Sequence, residues 1–485
     1  MSAPNVLWIC TDQQRFDGLG CYGNEKLDTP NIDALAEKGV LFENTYCQSP
    51  VCSPSRASFL TGRYPRTCGV RENGQRMPKD ERLVTKMFAD AGYTVGLSGK
   101  LHIAPCHTSV CAAGESRVDD GYSVFHWSHH PDFCGVKSNW PINEYNIWLR
   151  SQGKAYNRVP YKGSPYVYVG VEKEYSQSHW CAEMAIQFIQ SFEEYKDHPW
   201  MFSLNFYDPH HDFDPAEDLL EKYINRLDES DLPNYEDGEL DGKPKPQRDD
   251  HCGAYGVKGN YEYDKMSKSD HLLVKAAYYA MIEQLDMEVG RVVECLKKTG
   301  QYENTIIIFC SDHGEMLGDH GIYLKGGYFY DPMVKVPLIL SWPGHFLENV
   351  RRSALVELLD LAPTLLEIAG IPQYAGMQGK SFLPLLTDTN AKDYFLEMAY
   401  SEYCNAMRHG DDRIYGTMVT DGNYKLVYYH STDEGELYDL VKDPQERKNV
   451  YYEAEYGQLK VKMLEVMLDQ LAFTADPLPE REAAY

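Results

Sequence analysis

The chain has 485 residues, 43% of them apolar and 25% charged, enough for a globular protein with a sizeable core and no need of disulfide or metal staples. Lys and Arg total 47 against 73 Asp and Glu, a formal net charge of −26. That balance argues against nucleic acid as a partner, because phosphate backbones demand a cationic surface, but a few local cations can still hold a small anion.

Residues 5–10 (Asn-Val-Leu-Trp-Ile-Cys) read as a buried strand and not as a secretory leader: no basic residue precedes the run and no small-residue cleavage pair follows. No apolar run is long enough for a membrane span. The 13 scattered cysteines, odd in number, fit reduced thiols and a cytoplasmic location. Further strands are expected at 93–98, 200–206, 305–310 and 336–341, with helices at 29–39, 83–91, 178–195 and 269–298. Strands alternating with helices mean an α/β fold: a large mixed, mainly parallel sheet sandwiched by helices. Residues 228–270 are polar and read as a surface insertion. After about residue 370 the pattern changes to a hairpin turning at Asp421-Gly422 and a final helix over 453–472. We therefore expect a main domain over 1–380 and a smaller C-terminal α+β subdomain with an antiparallel sheet over 381–485.

Ligands of open α/β sheets bind beyond the carboxyl ends of the strands. Here four strands run into reactive residues: Thr11-Asp12-Gln13-Gln14, Gly99-Lys100-Leu101-His102, Tyr207-Asp208-Pro209-His210-His211 and Ser311-Asp312-His313-Gly314. Asp12, Gln13 and Asp312 offer hard oxygen ligands for Ca²⁺, Mg²⁺ or Mn²⁺, and His313 adds a nitrogen. Lys100, His102, His210 and Lys325 are cationic or proton-transferring. A divalent ion among such cations suits a tetrahedral oxyanion such as sulfate or phosphate. In Cys52-Ser53-Pro54-Ser55-Arg56, Pro54 starts a short helix that Gly62 ends, which puts Cys52 at a helix N-terminus with Arg56 one turn on, near enough to hold it.

Cys-x-Pro-x-Arg followed by Ala-Ser-x-Leu-Thr-Gly-Arg resembles the signature of the type I sulfatases of the alkaline phosphatase superfamily. The resemblance continues through Gly99-Lys100-Leu101-His102, through 311–321 (Ser-Asp-His-Gly-Glu-Met-Leu-Gly-Asp-His-Gly) and through Glu436-Leu437-Tyr438-Asp439-Leu440. It implies a sulfatase in which a separate maturase oxidises Cys52 to Cα-formylglycine, whose hydrate is the nucleophile. It further implies one divalent metal, Ca²⁺ before Mg²⁺ or Mn²⁺, held by Asp12, Gln13, Asp312, His313 and modified Cys52. Arg56 would orient the hydrate, Lys100 and Lys325 would neutralise the substrate oxygens, and Asn73 would hydrogen-bond the oxyanion. His210, with Lys325, would protonate the departing alcohol, and His102 would take the proton that restores the aldehyde. Many relatives carry Asp where this chain has Gln13, and Asn where it has His313.

Those two departures lean towards the phosphonate monoester hydrolase or phosphodiesterase branch, whereas Lys100 and His102 lean back to sulfatases. A thiol-dependent hydrolase using Cys52 directly and a non-catalytic oxyanion-binding protein are the readings from other classes. Trp127, His129, His130, Trp140, Tyr207 and Tyr330 are candidates for stacking on a sugar or aryl substrate. The insertion over 228–270 would close over a substrate or cap a contact between copies of a homo-oligomer.

Overall fold

The computed structural model describes residues 3–107, 110, 114–131, 144–195, 197–407 and 413–483. An eight-stranded sheet runs, edge to edge, through Val350–Glu357, Val40–Tyr46, Lys335–Ser341, Thr305–Ser311, Asn5–Thr11, Trp200–Asn205, Thr94–Gly99 and Val124–Trp127. All neighbours pair in parallel except Lys335–Ser341, which is antiparallel to both of its own. The five expected strands are present. The three that sequence reading passes over are Val40–Tyr46, interrupted by Glu43 and Asn44, the edge strand Val350–Glu357 with Arg351 and Arg352, and the four-residue Val124–Trp127.

Every residue of Asn5–Thr11 is buried, and alternate side chains enter different cores. Val6, Trp8 and Cys10 join the helix Cys52–Thr61 through Ala57 and Phe59. Leu7 and Ile9 join the helices Gln177–Ser191 and Lys268–Lys298. A central strand with helices on both faces has no solvated side, which explains its unbroken apolar run. In register, Cys10 lies beside Cys310 and Asn205, and Asn205 beside Gly99. Four parallel strands therefore end level with one another, and the residues that follow them meet at one edge.

A second, four-stranded antiparallel sheet comprises Ala399–Cys404, Tyr415–Thr420, Tyr424–Tyr429 and Gly435–Asp439. The helix Gly457–Phe473 covers it through Met463 and Met467. The polar stretch 228–270 is less peripheral than its composition suggests. Within it Gln247 Nε2 donates to Glu436 Oε2 at 2.8 Å, and Lys243 Nζ to the Tyr438 hydroxyl at 2.9 Å, which ties it to the second sheet. Among the described residues no helix is long and apolar enough to cross a membrane.

Candidate active site

Two glycines make the close approaches on which the site depends. A Cβ on Gly99 (φ +99°) would lie 1.8 Å from the Asn205 carbonyl oxygen, and one on Gly314 would lie 1.8 Å from that of Pro332. Only glycine lets Lys100 turn in behind one strand and the 311–315 loop pack against residues 332–333.

Asp12 and Asp312 are wholly buried side by side, and cations hold both. Lys100 Nζ pairs with Asp12 Oδ2, Arg56 Nε lies 2.8 Å from Asp312 Oδ2, and Arg56 Nη2 lies 3.4 Å from Asp12 Oδ2. Arg56 Nη1 donates to the Lys100 carbonyl at 2.9 Å. Two buried carboxylates claim the guanidinium fork more strongly than one sulfur does, while Cys52 stays close enough to act on the Arg56 charge. Burial would raise the Asp12 pKa, but Lys100, Lys325 and Arg56 hold it well below the ordinary carboxylate value.

His313 Nδ1 faces the Gly314 carbonyl at 2.8 Å, which fixes a proton there and turns Nε2 towards Cys52 Sγ, 3.1 Å away. Ligand atoms of Asp12, Cys52, Asp312 and His313 all lie within 4.8 Å of one another. Gln13, in a left-handed conformation, turns Oε1 to Lys325 Nζ at 2.9 Å while its Nε2 donates to Glu315. Two carboxylates, an imidazole nitrogen and an adjacent carboxamide oxygen form a donor set that fits one hard divalent cation.

Cys52 begins the helix Cys52–Thr61, and its Sγ lies 2.9 Å from Lys325 Nζ. Burial and Asp12 push the thiol pKa up, but Lys100, Lys325 and His313 outweigh them and bring it down to about 5. The unmodified side chain is thus a thiolate at neutral pH. Lys325 also bonds His210 Nε2 at 2.8 Å. His210 Nδ1 faces the His211 carbonyl and the Tyr207 hydroxyl, so Nε2 is the acceptor. Burial, then Lys325, holds the His210 pKa well below that of free imidazole, so the ring is neutral. Burial and Lys100 do the same for His102.

These groups floor a 590 Å³ cavity onto which Cys52, Asn73, Lys100, His102, His210 and Lys325 all open. Asn73 Oδ1 accepts from Ser53 N at 2.9 Å, so it also pins the start of the Cys52 helix. His129, His130, Tyr207, Arg158, Asp212, Tyr255 and Asn260 also line the cavity. Two stacking candidates are corrected. Trp127 is buried and donates its Nε1 to Glu115 Oε2 at 3.0 Å. Tyr330 stacks on His320 with ring centroids 3.9 Å apart and faces Glu436, because it lies where the main sheet meets the second one. Trp140 lies outside the described residues.

Sequence reading overlooks Glu115, which accepts from the backbone N–H groups of His102, Ile103 and Ala104 and so fixes the His102 turn. It also overlooks Glu315, which accepts from Gln13 Nε2 and the backbone of Leu317 and Leu324. Glu315 sits inside a recognisable segment and was findable there, whereas nothing local marks Glu115.

The sulfatase family profile matches residues 4–371, and that of the N-sulphoglucosamine sulphohydrolase C-terminal region matches 318–472. An arylsulfatase of Clostridium perfringens is 29% identical, covering 96% of this chain and 94% of its own length. An N-acetylglucosamine-6-O-sulfatase of Bacteroides thetaiotaomicron is 25% identical, with 96% and 85% covered. The crystal structure of the phosphonate monoester hydrolase of Agrobacterium radiobacter superposes with a TM-score of 0.80 at 26% identity, covering 98% of this chain and 96% of that one.

Proposed function

We infer that this chain, which belongs to the sulfatase family and is a sulfuric ester hydrolase, cleaves the sulfate ester of a small carbohydrate, aryl or alkyl substrate with a nucleophile made from Cys52. The observation that carries this reading is the position of Cys52 Sγ. It sits at the cavity floor between the Asp12–Asp312–His313 ligand atoms and Lys325 Nζ.

Oxidised to formylglycine by a separate maturase and hydrated, residue 52 supplies the attacking oxygen: Asp312 accepts its proton, the new oxygen–sulfur bond forms and the ester oxygen–sulfur bond breaks. One divalent ion, Ca²⁺ foremost, held by Asp12, Gln13, Asp312 and His313, supplies Lewis-acid polarisation of substrate oxygens. Arg56 holds the two carboxylates in register. Lys100 and Lys325 place positive charge against the non-bridging sulfate oxygens, where it counts most in a water-poor site. The proton between Lys325 Nζ and His210 Nε2 goes to the departing alcohol. Neutral His102 accepts the proton of the second hydroxyl as sulfate leaves and the aldehyde is restored, and Asn73, whose Nδ2 meets Met407 Sδ at 3.6 Å, would turn that donor to a substrate oxygen.

Phosphonate monoester hydrolysis is the second reading, favoured by Gln13 and His313 among the ligands and by the structural likeness noted above. Lys100 and His102 at the cavity floor favour sulfate. Turnover of p-nitrophenyl sulfate against a p-nitrophenyl phosphonate monoester decides between them, and preference for the phosphonate overturns our choice. Cys52→Ala should abolish turnover with the fold intact. In active enzyme the peptide carrying residue 52 should be lighter than its cysteine form, because thiol-to-aldehyde conversion removes mass whereas ordinary thiol oxidation adds it.

A further inference from the structure

A second cluster of ligand-type side chains opens onto the same cavity. One ring nitrogen of His102, one of His129 and Cys106 Sγ lie within 4.8 Å of one another. All three line the cavity. His102 Nδ1 and His129 Nε2 are buried, and neither has a hydrogen-bond partner among the described residues. A buried imidazole nitrogen without a partner is uncommon, because the lost hydrogen bond to water costs about 1–3 kcal/mol. Two imidazoles that each hold such a nitrogen, clustered with one sulfur, suit a ligand that accepts lone pairs.

The cluster is also held from behind. Glu115 binds the backbone N–H groups of residues 102–104, and its Oε2 takes Trp127 Nε1 at 3.0 Å. Trp127 in turn stacks against the His129 ring, with centroids 6.4 Å apart. The segments that carry the three ligands are therefore tied together by one buried carboxylate, as a pre-organised site requires.

We propose that His102, Cys106 and His129 form a binding site for a thiophilic divalent cation, zinc above all, distinct from the Asp12–Asp312 centre and open to the substrate cavity. Two imidazoles and a thiolate are borderline-soft donors that suit Zn²⁺ and exclude Ca²⁺ and Mg²⁺, which take oxygen. Ligands at tetrahedral zinc stand about 3.5 Å apart, so side-chain rotation suffices to close the set. Binding displaces the Cys106 proton to solvent. On the reading of His102 given above, an occupied site removes the proton acceptor from the reaction, so zinc inhibits the enzyme while Ca²⁺ sustains it.

Cobalt(II) titrated into the metal-stripped full chain reads the site without reference to catalysis, because a cobalt–thiolate bond gives a charge-transfer absorption band. The Cys52→Ala protein removes the other candidate thiolate. It should show one equivalent of that band, displaced by Zn²⁺, and adding Cys106→Ser should remove it. In the same Cys52→Ala background, His129→Ala should weaken cobalt binding about tenfold or more, whether or not the Cys106 variant folds. Absence of the band in Cys52→Ala, or its survival in the folded Cys106 variant or undiminished in the His129 one, overturns the proposal. In matured, Ca²⁺-loaded enzyme, zinc should inhibit turnover, with the inhibiting concentration raised in Cys106→Ser. A band without inhibition keeps the site and refutes only the role given to His102.

Discussion

Arg56 Nε lies 2.8 Å from Asp312 Oδ2, with both side chains sealed from solvent. The pair is 256 residues apart in sequence and joins the middle of one helix to the residue after a central strand. Removing the guanidinium leaves two carboxylates buried without it, so Arg56→Ala should cost about 3–5 kcal/mol of stability and abolish turnover. Urea unfolding with Ca²⁺ absent checks this, and an unchanged midpoint refutes it.

Metal should stabilise the fold by mass action. At a Ca²⁺ concentration a hundredfold above its dissociation constant, the gain is about 2.7 kcal/mol. Asp312→Asn should abolish most of the calcium-dependent rise in melting temperature, and chelation should abolish turnover of the parent enzyme. A melting curve indifferent to Ca²⁺ counts against the ligand set.

Glu115 acts through His102 and not on substrate. Glu115→Ala leaves three backbone N–H groups without their acceptor, at about 1–3 kcal/mol each where water cannot enter. We expect kcat to fall by more than KM rises, with the acidic-side limb of the pH profile shifted, because a proton acceptor is lost when it is protonated. Full activity in the Ala variant would show that the His102 turn holds itself.

Glu357 and Asp360 supply a pH test remote from the metal ligands. Burial and, for Glu357, the neighbouring Asp360 push both carboxyls well above their usual range. Folding therefore retains protons that the unfolded chain has released. The contribution is full below about pH 4 and is lost as pH rises through neutrality, by up to about 1.4 kcal/mol per pH unit for each proton. Glu357→Gln should flatten that decline, since its amide can still meet Tyr400 N and the Tyr64 hydroxyl. Equal slopes for parent and variant between pH 5 and 8 would refute the assignment.

What could be read ahead of the structure was local. The Cys52 segment, the Asp-His-Gly-Glu run and the Gly-Lys-Leu-His turn carry their chemistry within a dozen residues, and the last two follow strong apolar runs. The strand Asn5–Thr11 is legible because both its faces are buried, whereas Val350–Glu357 is not, because an edge strand can carry Arg351 and Arg352. Nothing in a loop sequence says which layer Tyr330 will face, so its place against His320 and Glu436 follows only from the fold.

The amino-acid sequence by itself determined the alternation that makes an α/β sheet and the residue types that follow four of its strands, because hydrophobic periodicity and ligand chemistry are properties of short stretches. Only the tertiary structure decided that Arg56 pairs with Asp312, that Lys325 joins Cys52 to His210, and that Glu115 supports His102. Those pairings are set by strand register and by the cost of leaving buried charges and N–H groups alone, and both exist only once distant segments have packed together.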